Sequence, residues 1–229
     1  MRCAVHQPNY LPWAGFFHKM QNCDVLIILD NIQFARRSYG SRTQIKTQAG
    51  ARWLTLPVAH GPIGQKINEV RLFEPAKNQF QNFKTIRHAY AQAPYFASLA
   101  AELEPLYTQP REFLLPFNLQ LIQLFADILE IKTPLLLASS LGEPPAGKNE
   151  RIIFLCQQCG ADTYYSGRGG KAYNEPLALQ AAGLTLEYQN FQPPVYPQGK
   201  GDFIPGLSIL DLVMYAGPKQ SKSLLLQSS

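Results

Sequence analysis

The residue with the most evident chemical potential is a histidine at the end of a short apolar stretch, Cys3–His6. Imidazole has the side-chain pKa nearest to neutral pH, so His6 could act as a general base or donate a hydrogen bond to a substrate. It could equally be a strand-end histidine satisfied by a backbone carbonyl. Because Gln7, Asn9 and Tyr10 follow in the same turn, we predict His6 as catalytic and these three residues as substrate-binding.

A glycine-rich segment follows a later apolar stretch and reads Ser166-Gly167-Arg168-Gly169-Gly170-Lys171. Glycine lets successive backbone N–H groups converge on an anion, and the two cations would add positive charge. The spacing matches neither a Walker A loop nor the dinucleotide-binding fingerprint. An ordinary glycine-rich turn is the alternative. We predict that all six residues contact a phosphate of the substrate.

Polar residues also follow the other apolar stretches. Asp30 could bind a metal, orient an amine or cap a loop, but it has no close acidic neighbour, so no metal site is predicted. We predict Asp30 as a second catalytic residue. The remaining predicted substrate-binding residues are Gln33, Arg42, Ser139, Ser140, Tyr196 and Gln198.

Five short apolar stretches separated by helical patterns predict strands ending at His6, Asp30, Ser139, Ser166 and Gln189. This alternation is typical of an α/β protein with a Rossmann-like three-layer fold and a mainly parallel five-stranded sheet. In such sheets ligands bind beyond the carboxyl ends of the strands, where the strand order reverses. The predicted site residues would therefore meet at one edge.

The middle of the chain predicts an inserted lobe at about residues 36–130, made of a hairpin over Ser41–Val58, a further strand over Lys66–Leu72 and three helical patterns. Ser208 and Asp211 resemble a capping box that opens a last helix. We predict a single α/β domain over residues 1–217, with this helix ending at Gly217, and a flexible tail over residues 218–229.

Composition narrows the class of protein. Of the 229 residues 16% are charged and 11% aromatic, which excludes intrinsic disorder. The net charge of +5 is modest and no helix carries a basic stripe, so a small anionic ligand is favoured over nucleic acid. No apolar run approaches the roughly 18 residues of a membrane span, and a signal peptide is lacking. We expect a soluble, cytoplasmic protein. The pair Cys156-x-x-Cys159 is half a zinc site without a second half, so a packing role is predicted.

Ten segments resemble the WbqC-like family of bacterial proteins. They are H-Q-P-N-Y-L-P-W-A-G-F-F-H-K-M, D-V-L-I-I-L-D-N-I-Q-F, S-R-T-Q-I-K, W-L-T-L-P-V, A-P-Y-F, S-S-L, N-E-R-I-I-F-L-C, Y-Y-S-G-R-G-G-K-A-Y, P-V-Y-P-Q and L-S-I-L-D-L. They span nearly the whole chain in order. The chain departs from the family at Ser41, Pro193 and Tyr215, where Asn, His and Asn are common.

The resemblance implies a role in surface-polysaccharide, O-antigen or amino-sugar biosynthesis. Together with His6 and the glycine-rich segment, it favours acyl or aminoacyl transfer onto the amino group of a nucleotide-linked sugar, with a carrier-protein thioester as a conceivable donor and no cofactor identified. The alternative is a non-catalytic module that binds a sugar nucleotide or a carrier. A fainter likeness is to the HIGH-motif nucleotidylyltransferases, but Phe16 follows Gly15 where that motif has its second histidine, so adenylyl transfer is not predicted.

Overall fold

The computed structural model describes residues 1–228, which fold around a five-stranded parallel sheet. The strands of the described chain are β1 (Arg2–His6), β2 (Val25–Ile28), β3 (Arg42–Thr47), β4 (Gly50–Thr55), β5 (Leu135–Leu137), β6 (Thr163–Ser166) and β7 (Thr185–Tyr188). The order in the sheet is β5-β2-β1-β6-β7, with every neighbouring pair parallel. The predicted α/β fold is confirmed.

Helices cover both faces of this sheet. They are α1 (Ala14–Gln21), α2 (Pro75–Tyr90), α3 (Phe96–Thr108), α4 (Leu114–Ile128), α5 (Lys148–Gln158), α6 (Pro176–Ala181) and α7 (Ile209–Leu226). Side chains of a strand alternate between faces, and β1 follows this rule. Ala4 joins the apolar cluster shared with α1, α7 and the lobe, whereas Cys3 and Val5 join the cluster under α5 and α6. No helix of residues 1–228 is long and apolar enough to cross a membrane.

The lobe between β2 and β5 consists of the β3–β4 hairpin and helices α2 to α4. The hairpin is confirmed, and Gly50 begins β4 with a φ of +96°, a conformation that favours glycine. The predicted strand over Lys66–Leu72 is wrong. The chain forms a 3-10 helix over Ile67–Glu69 instead, because the Glu69 carboxylate accepts a hydrogen bond from the Lys66 backbone N–H at 3.0 Å and closes a turn.

The end of the chain also differs from its prediction. Helix α7 continues to Leu226 across a kink at Gly217, whose φ is +78°. Residues 218–226 are therefore not a flexible tail, since Leu225 is buried in the core and the buried Ser221 hydroxyl donates to the Leu212 carbonyl at 3.3 Å.

The predicted capping box at the start of α7 is only half right. The Ser208 hydroxyl accepts from the Leu210 N–H at 3.3 Å and so caps the helix. Asp211 does not reach back to Ser208. Its buried carboxylate accepts hydrogen bonds from the hydroxyls of Tyr90 and Tyr196, at 3.1 and 2.8 Å.

Candidate functional site

The strand order reverses between β1 and β6, because the chain passes from β1 to β2 and β5 on one side and then returns to β6 on the other. This is the position at which open parallel sheets bind ligands. A cleft of about 460 Å³ opens there. His6, Gln7 and Asn9 line it beyond β1, and Gly167, Gly169 and Gly170 line it beyond β6.

His6 lines the cleft as a neutral imidazole. Its Nδ1 lies 2.9 Å from the Gln7 carbonyl oxygen, and because a carbonyl only accepts, Nδ1 carries the hydrogen and Nε2 keeps the lone pair. Burial and then the nearby Lys19 charge lower the pKa of His6 to about 3. The ring therefore agrees with both interpretations of His6, as a histidine bonded to the backbone and as a proton acceptor. One nitrogen donates to a backbone carbonyl, and the other is an acceptor at neutral pH.

Lys19 is a site residue that the sequence did not predict. It extends from α1 into the cleft, and only 6% of its surface is exposed. Burial lowers the pKa of Lys19 to about 8. Lysine is almost never so buried without a partner, which makes this ammonium group a candidate receptor for an anion. The available signal was a lysine within A-G-F-F-H-K-M, a segment in which His18 and Lys19 are the only polar residues.

The turn between β1 and α1 is fixed by the lobe. Asn118 Nδ2 donates to the carbonyls of Pro8 and Gly40, at 2.9 and 2.8 Å. The Tyr10 N–H donates to the Tyr39 carbonyl at 2.9 Å. The Tyr10 ring is fully buried, with its hydroxyl 2.8 Å from that of Tyr107, so it supports the turn from the core.

The glycine-rich segment is a 3-10 helix over Arg168–Ala172 rather than an open loop. Gly167, Gly169 and Gly170 do not adopt positive φ, so none of them is required for a left-handed backbone, and contact of this segment with a phosphate stays a prediction. A side chain would be crowded at two of these positions. A Cβ at Gly167 would lie 3.0 Å from Lys19 Nζ, and a Cβ at Gly170 would collide with the hydroxyl of the buried Ser166.

The two cations of the segment point to different places. Arg168 borders a side branch of the cleft that His6, Lys19 and Gly167 also line. Its guanidinium donates to Asn190 Oδ1 at 2.7 Å. Lys171 Nζ lies 5.3 Å from the centre of the Tyr188 ring, over the face of that ring.

Comparison with known proteins decides the family. The WbqC-like protein family matches residues 7–223, from the residue after His6 to the second half of α7. The chain belongs to the WbqC-like protein family. An uncharacterized protein of Mycobacterium tuberculosis, Rv1507c, is 32% identical over an alignment of 222 positions that covers 94% of this chain and 94% of the relative. No solved structure matches. The resemblance identified from the sequence motifs is thereby confirmed, whereas the likeness to nucleotidylyltransferases stays a prediction.

Asp30 of this WbqC-like protein is buried, and its carboxylate accepts hydrogen bonds from within the protein. Its Oδ1 accepts from the Ser139 N–H at 2.9 Å, and its Oδ2 accepts from the Ser139 hydroxyl at 2.6 Å. These bonds join the segment after β2 to the 3-10 helix Ala138–Leu141, which follows β5. Ser140 lies in the same helix, and its hydroxyl donates to the Leu137 carbonyl at 2.7 Å.

The structure does not place the remaining predicted residues in the lining of the cleft. Gln33 forms an isolated bridge with Lys66. The Arg42 guanidinium lies 4.2 Å from the centre of the Trp53 ring, and Trp53 contacts Tyr39, which borders the cleft. Tyr196 and Gln198 belong to the hydrogen-bond network around Asp211.

A matched pair of alanine variants tests whether the WbqC-like protein uses the space at Gly167. Gly167→Ala should displace the Lys19 ammonium group, so an anion that binds beside Lys19, tested with inorganic pyrophosphate, should bind about tenfold more weakly, the effect of roughly 1.4 kcal/mol. Gly169→Ala should bind normally, because a Cβ at Gly169 meets no atom within 4 Å. Calorimetric titration of both variants measures this. Equal affinities would show that the position of Lys19 does not matter for binding.

Proposed function

We propose that this WbqC-like protein binds a nucleotide-linked amino sugar in the cleft and transfers an acyl or aminoacyl group onto the sugar's amino group. The observation that carries the proposal is the juxtaposition of His6, a neutral acceptor, with the buried Lys19 cation at the strand-order reversal. Family membership supports it through the setting in polysaccharide biosynthesis that the motifs imply.

Lys19 and Arg168 are the groups that would hold the diphosphate. With its pKa near 8, Lys19 is mainly protonated at pH 7. A charge that has lost its hydration interacts more strongly with an opposite charge than an exposed one does. A diphosphate beside Lys19 therefore offsets the cost of burying the ammonium group, and Arg168 can add a contact from the side branch.

His6 would accept a proton from the amino group of the sugar. In acyl transfer the neutral amine attacks the thioester carbonyl, a C–N bond forms, and the C–S bond breaks to release a thiolate that is then protonated. The proton lost by the nitrogen passes to His6 Nε2, and the imidazolium then gives it to the released thiolate. The free protein holds the pKa of His6 near 3, partly through the Lys19 charge. A bound diphosphate opposes that charge and raises the pKa of His6, which makes the imidazole a better base once substrate is present.

Mass detection of product tests the proposal directly. The protein is incubated with uridine or thymidine diphosphate 4-amino sugars and with thioester or aminoacyl donors, and a mass gain equal to the acyl group is expected. The low pKa of His6 favours one competing function, a module in which His6 only accepts a hydrogen bond from a sugar hydroxyl. Binding without turnover, for every donor, would favour that module.

Proton uptake on binding provides an independent prediction. Near pH 8 about half of the Lys19 side chains are neutral, and a bound diphosphate raises the pKa of Lys19. Binding should therefore take up to about half a proton at pH 8 and almost none through Lys19 at pH 6. Titration calorimetry in two buffers of different ionisation enthalpy measures the uptake. Equal enthalpies in both buffers at pH 8 would contradict contact between Lys19 and the phosphates.

A further inference from the structure

Asn9 is a polar side chain that the protein buries without giving it a partner. It lines the cleft, and only 8% of its surface is exposed. Its amide makes no hydrogen bond to any other residue of the described range 1–228. A buried amide that lacks a partner costs free energy, because both its donor and its acceptor are left unpaired. Asn9 is therefore available to a ligand that enters the cleft and pairs with both.

The backbone on either side of Asn9 is held in place. The Pro8 carbonyl accepts a hydrogen bond from Asn118 Nδ2 at 2.9 Å. On the other side, the Tyr10 N–H donates to the Tyr39 carbonyl at 2.9 Å, which also fixes the Tyr39 backbone beside this turn. A side chain carried on a fixed backbone is preorganised, so little ordering is needed when a ligand binds to it.

The ring of Tyr39 borders the cleft as well. It is 53% exposed, and it contacts the Trp53 ring at a distance of 5.6 Å between ring centres. An aromatic ring offers a large apolar face, against which the C–H face of a sugar ring can pack while the sugar hydroxyls reach neighbouring polar groups. We call the part of the cleft formed by Asn9 and Tyr39 the lobe end.

The lobe end is distinct from the side branch. His6, Trp13 and Lys19 line both the cleft and the branch, whereas Asn9 and Tyr39 line the cleft alone. The branch encloses about 210 Å³ and the cleft about 460 Å³. An acyl donor must reach the amino group of the sugar, so the sugar needs the wider space. The narrower branch is left for the nucleoside.

We infer that the lobe end holds the sugar ring of the substrate and that Asn9 selects the sugar by its hydroxyl groups. The inference rests on the proposed function, which assigns the diphosphate to Lys19 and the amine to His6. The Tyr39 ring packs against the face of the pyranose, Asn9 Nδ2 donates to one hydroxyl, and Asn9 Oδ1 accepts from the next. The substrate class is thus a nucleotide-linked amino sugar with two adjacent free hydroxyls, because a sugar lacking one of them leaves the buried amide unpaired.

Titration calorimetry with two ligands tests the inference. They are uridine diphosphate and a uridine diphosphate 4-amino sugar that keeps two adjacent hydroxyls. Asn9→Ala should bind the sugar nucleotide about tenfold more weakly and uridine diphosphate with unchanged affinity, because only the sugar contacts the amide. Tyr39→Ala should show the same pattern with about a threefold loss, and Tyr39→Phe, which keeps the ring, should behave as the wild type. Lys19→Met is the matched control, since it should weaken both ligands equally.

A deoxy sugar nucleotide provides a second measurement that needs no variant. The wild type should bind the analogue that lacks one of the two hydroxyls about tenfold more weakly than the parent compound. Equal affinity for analogue and parent would overturn the inference, even if Asn9→Ala did not fold. Circular dichroism of each variant confirms that the fold is intact before affinities are compared.

The outcomes separate the sugar subsite from the transfer reaction. Equal losses for both ligands in Asn9→Ala would assign the nucleoside to the lobe end and overturn the inference, and so would unchanged affinity for both. The expected pattern of binding without turnover would support the sugar subsite and contradict the transfer reaction. A wild-type protein that binds neither ligand would overturn both proposals.

Discussion

Replacing Lys19 by methionine should stabilise the folded protein and weaken its binding of a sugar nucleotide. Burial lowers the pKa of Lys19 from 10.5 to about 8, so the unfolded chain binds more protons than the folded one between these values. The stability contributed by this group is therefore lowest below pH 8 and rises as the pH increases from 8 to 10.5. The shift corresponds to roughly 3 kcal/mol of destabilisation at pH 7. Methionine has a similar length and no charge, so the variant should regain most of this free energy of unfolding.

Urea unfolding at two pH values measures this effect. The variant should exceed the wild type in free energy of unfolding by about 3 kcal/mol at pH 7, and by roughly half as much at pH 9.5. The Lys19 charge also lowers the pKa of His6, but burial, the larger cause, remains in the variant and keeps folded His6 unprotonated at both pH values, so the difference isolates Lys19. A Lys19→Met variant that is less stable at pH 7 would show that the ammonium group already has a partner that stabilises it.

The same variant is expected to lose affinity for a uridine diphosphate sugar. A charge-assisted hydrogen bond contributes about 1.5–3 kcal/mol, which corresponds to a tenfold to hundredfold weaker Kd. The matched control is Lys171→Met, which removes a cation that lies over Tyr188 in the same region. Equal losses in the two variants would indicate a general effect of net charge. A loss confined to Lys19→Met would support a specific contact with the ligand.

The sheet and the position of the cleft could be predicted from the sequence because both follow from local patterns. Apolar stretches of strand length mark β1, β2 and β6, and their alternation with helices fixes parallel pairing. His6 could then be placed at the strand-order reversal. Lys19 could not be predicted, because its burial depends on elements distant in sequence that pack around α1.

Two other features could not be predicted because the local sequence was compatible with two different structures. The glycines of residues 166–171 indicated a tight backbone, but only the fold shows that Gly167 provides space for an amine rather than an unusual φ. Asp211 fits a capping position by its spacing. In the fold, its carboxylate instead accepts hydrogen bonds from the hydroxyls of Tyr90 and Tyr196. Burial raises the pKa of Asp211 to about 6.

Replacing His6 should separate catalysis from binding. A general base typically accelerates proton transfer by about 100-fold to 10,000-fold, so His6→Ala should lower kcat by that range. Lys19, which we assign to the phosphates, remains in place, so the Kd for the sugar nucleotide should change by less than about threefold. His6→Gln is the informative partner, because an amide can still donate to the Gln7 carbonyl and accept a hydrogen bond, yet it is not a base.

The two variants distinguish the enzyme from the binding module. If His6 accepts a proton, His6→Gln should fail as His6→Ala does. If His6 only accepts a hydrogen bond, His6→Gln should behave as the wild type.

The pH profile adds a check on the same assignment. With its pKa near 3, His6 is already unprotonated throughout the neutral range, so kcat/KM should rise with pH as the sugar amine is deprotonated. It should then fall above about pH 8 as Lys19 loses its charge and its hold on the diphosphate. A profile that rises smoothly through pH 9 would remove Lys19 from substrate binding, whatever the behaviour of His6.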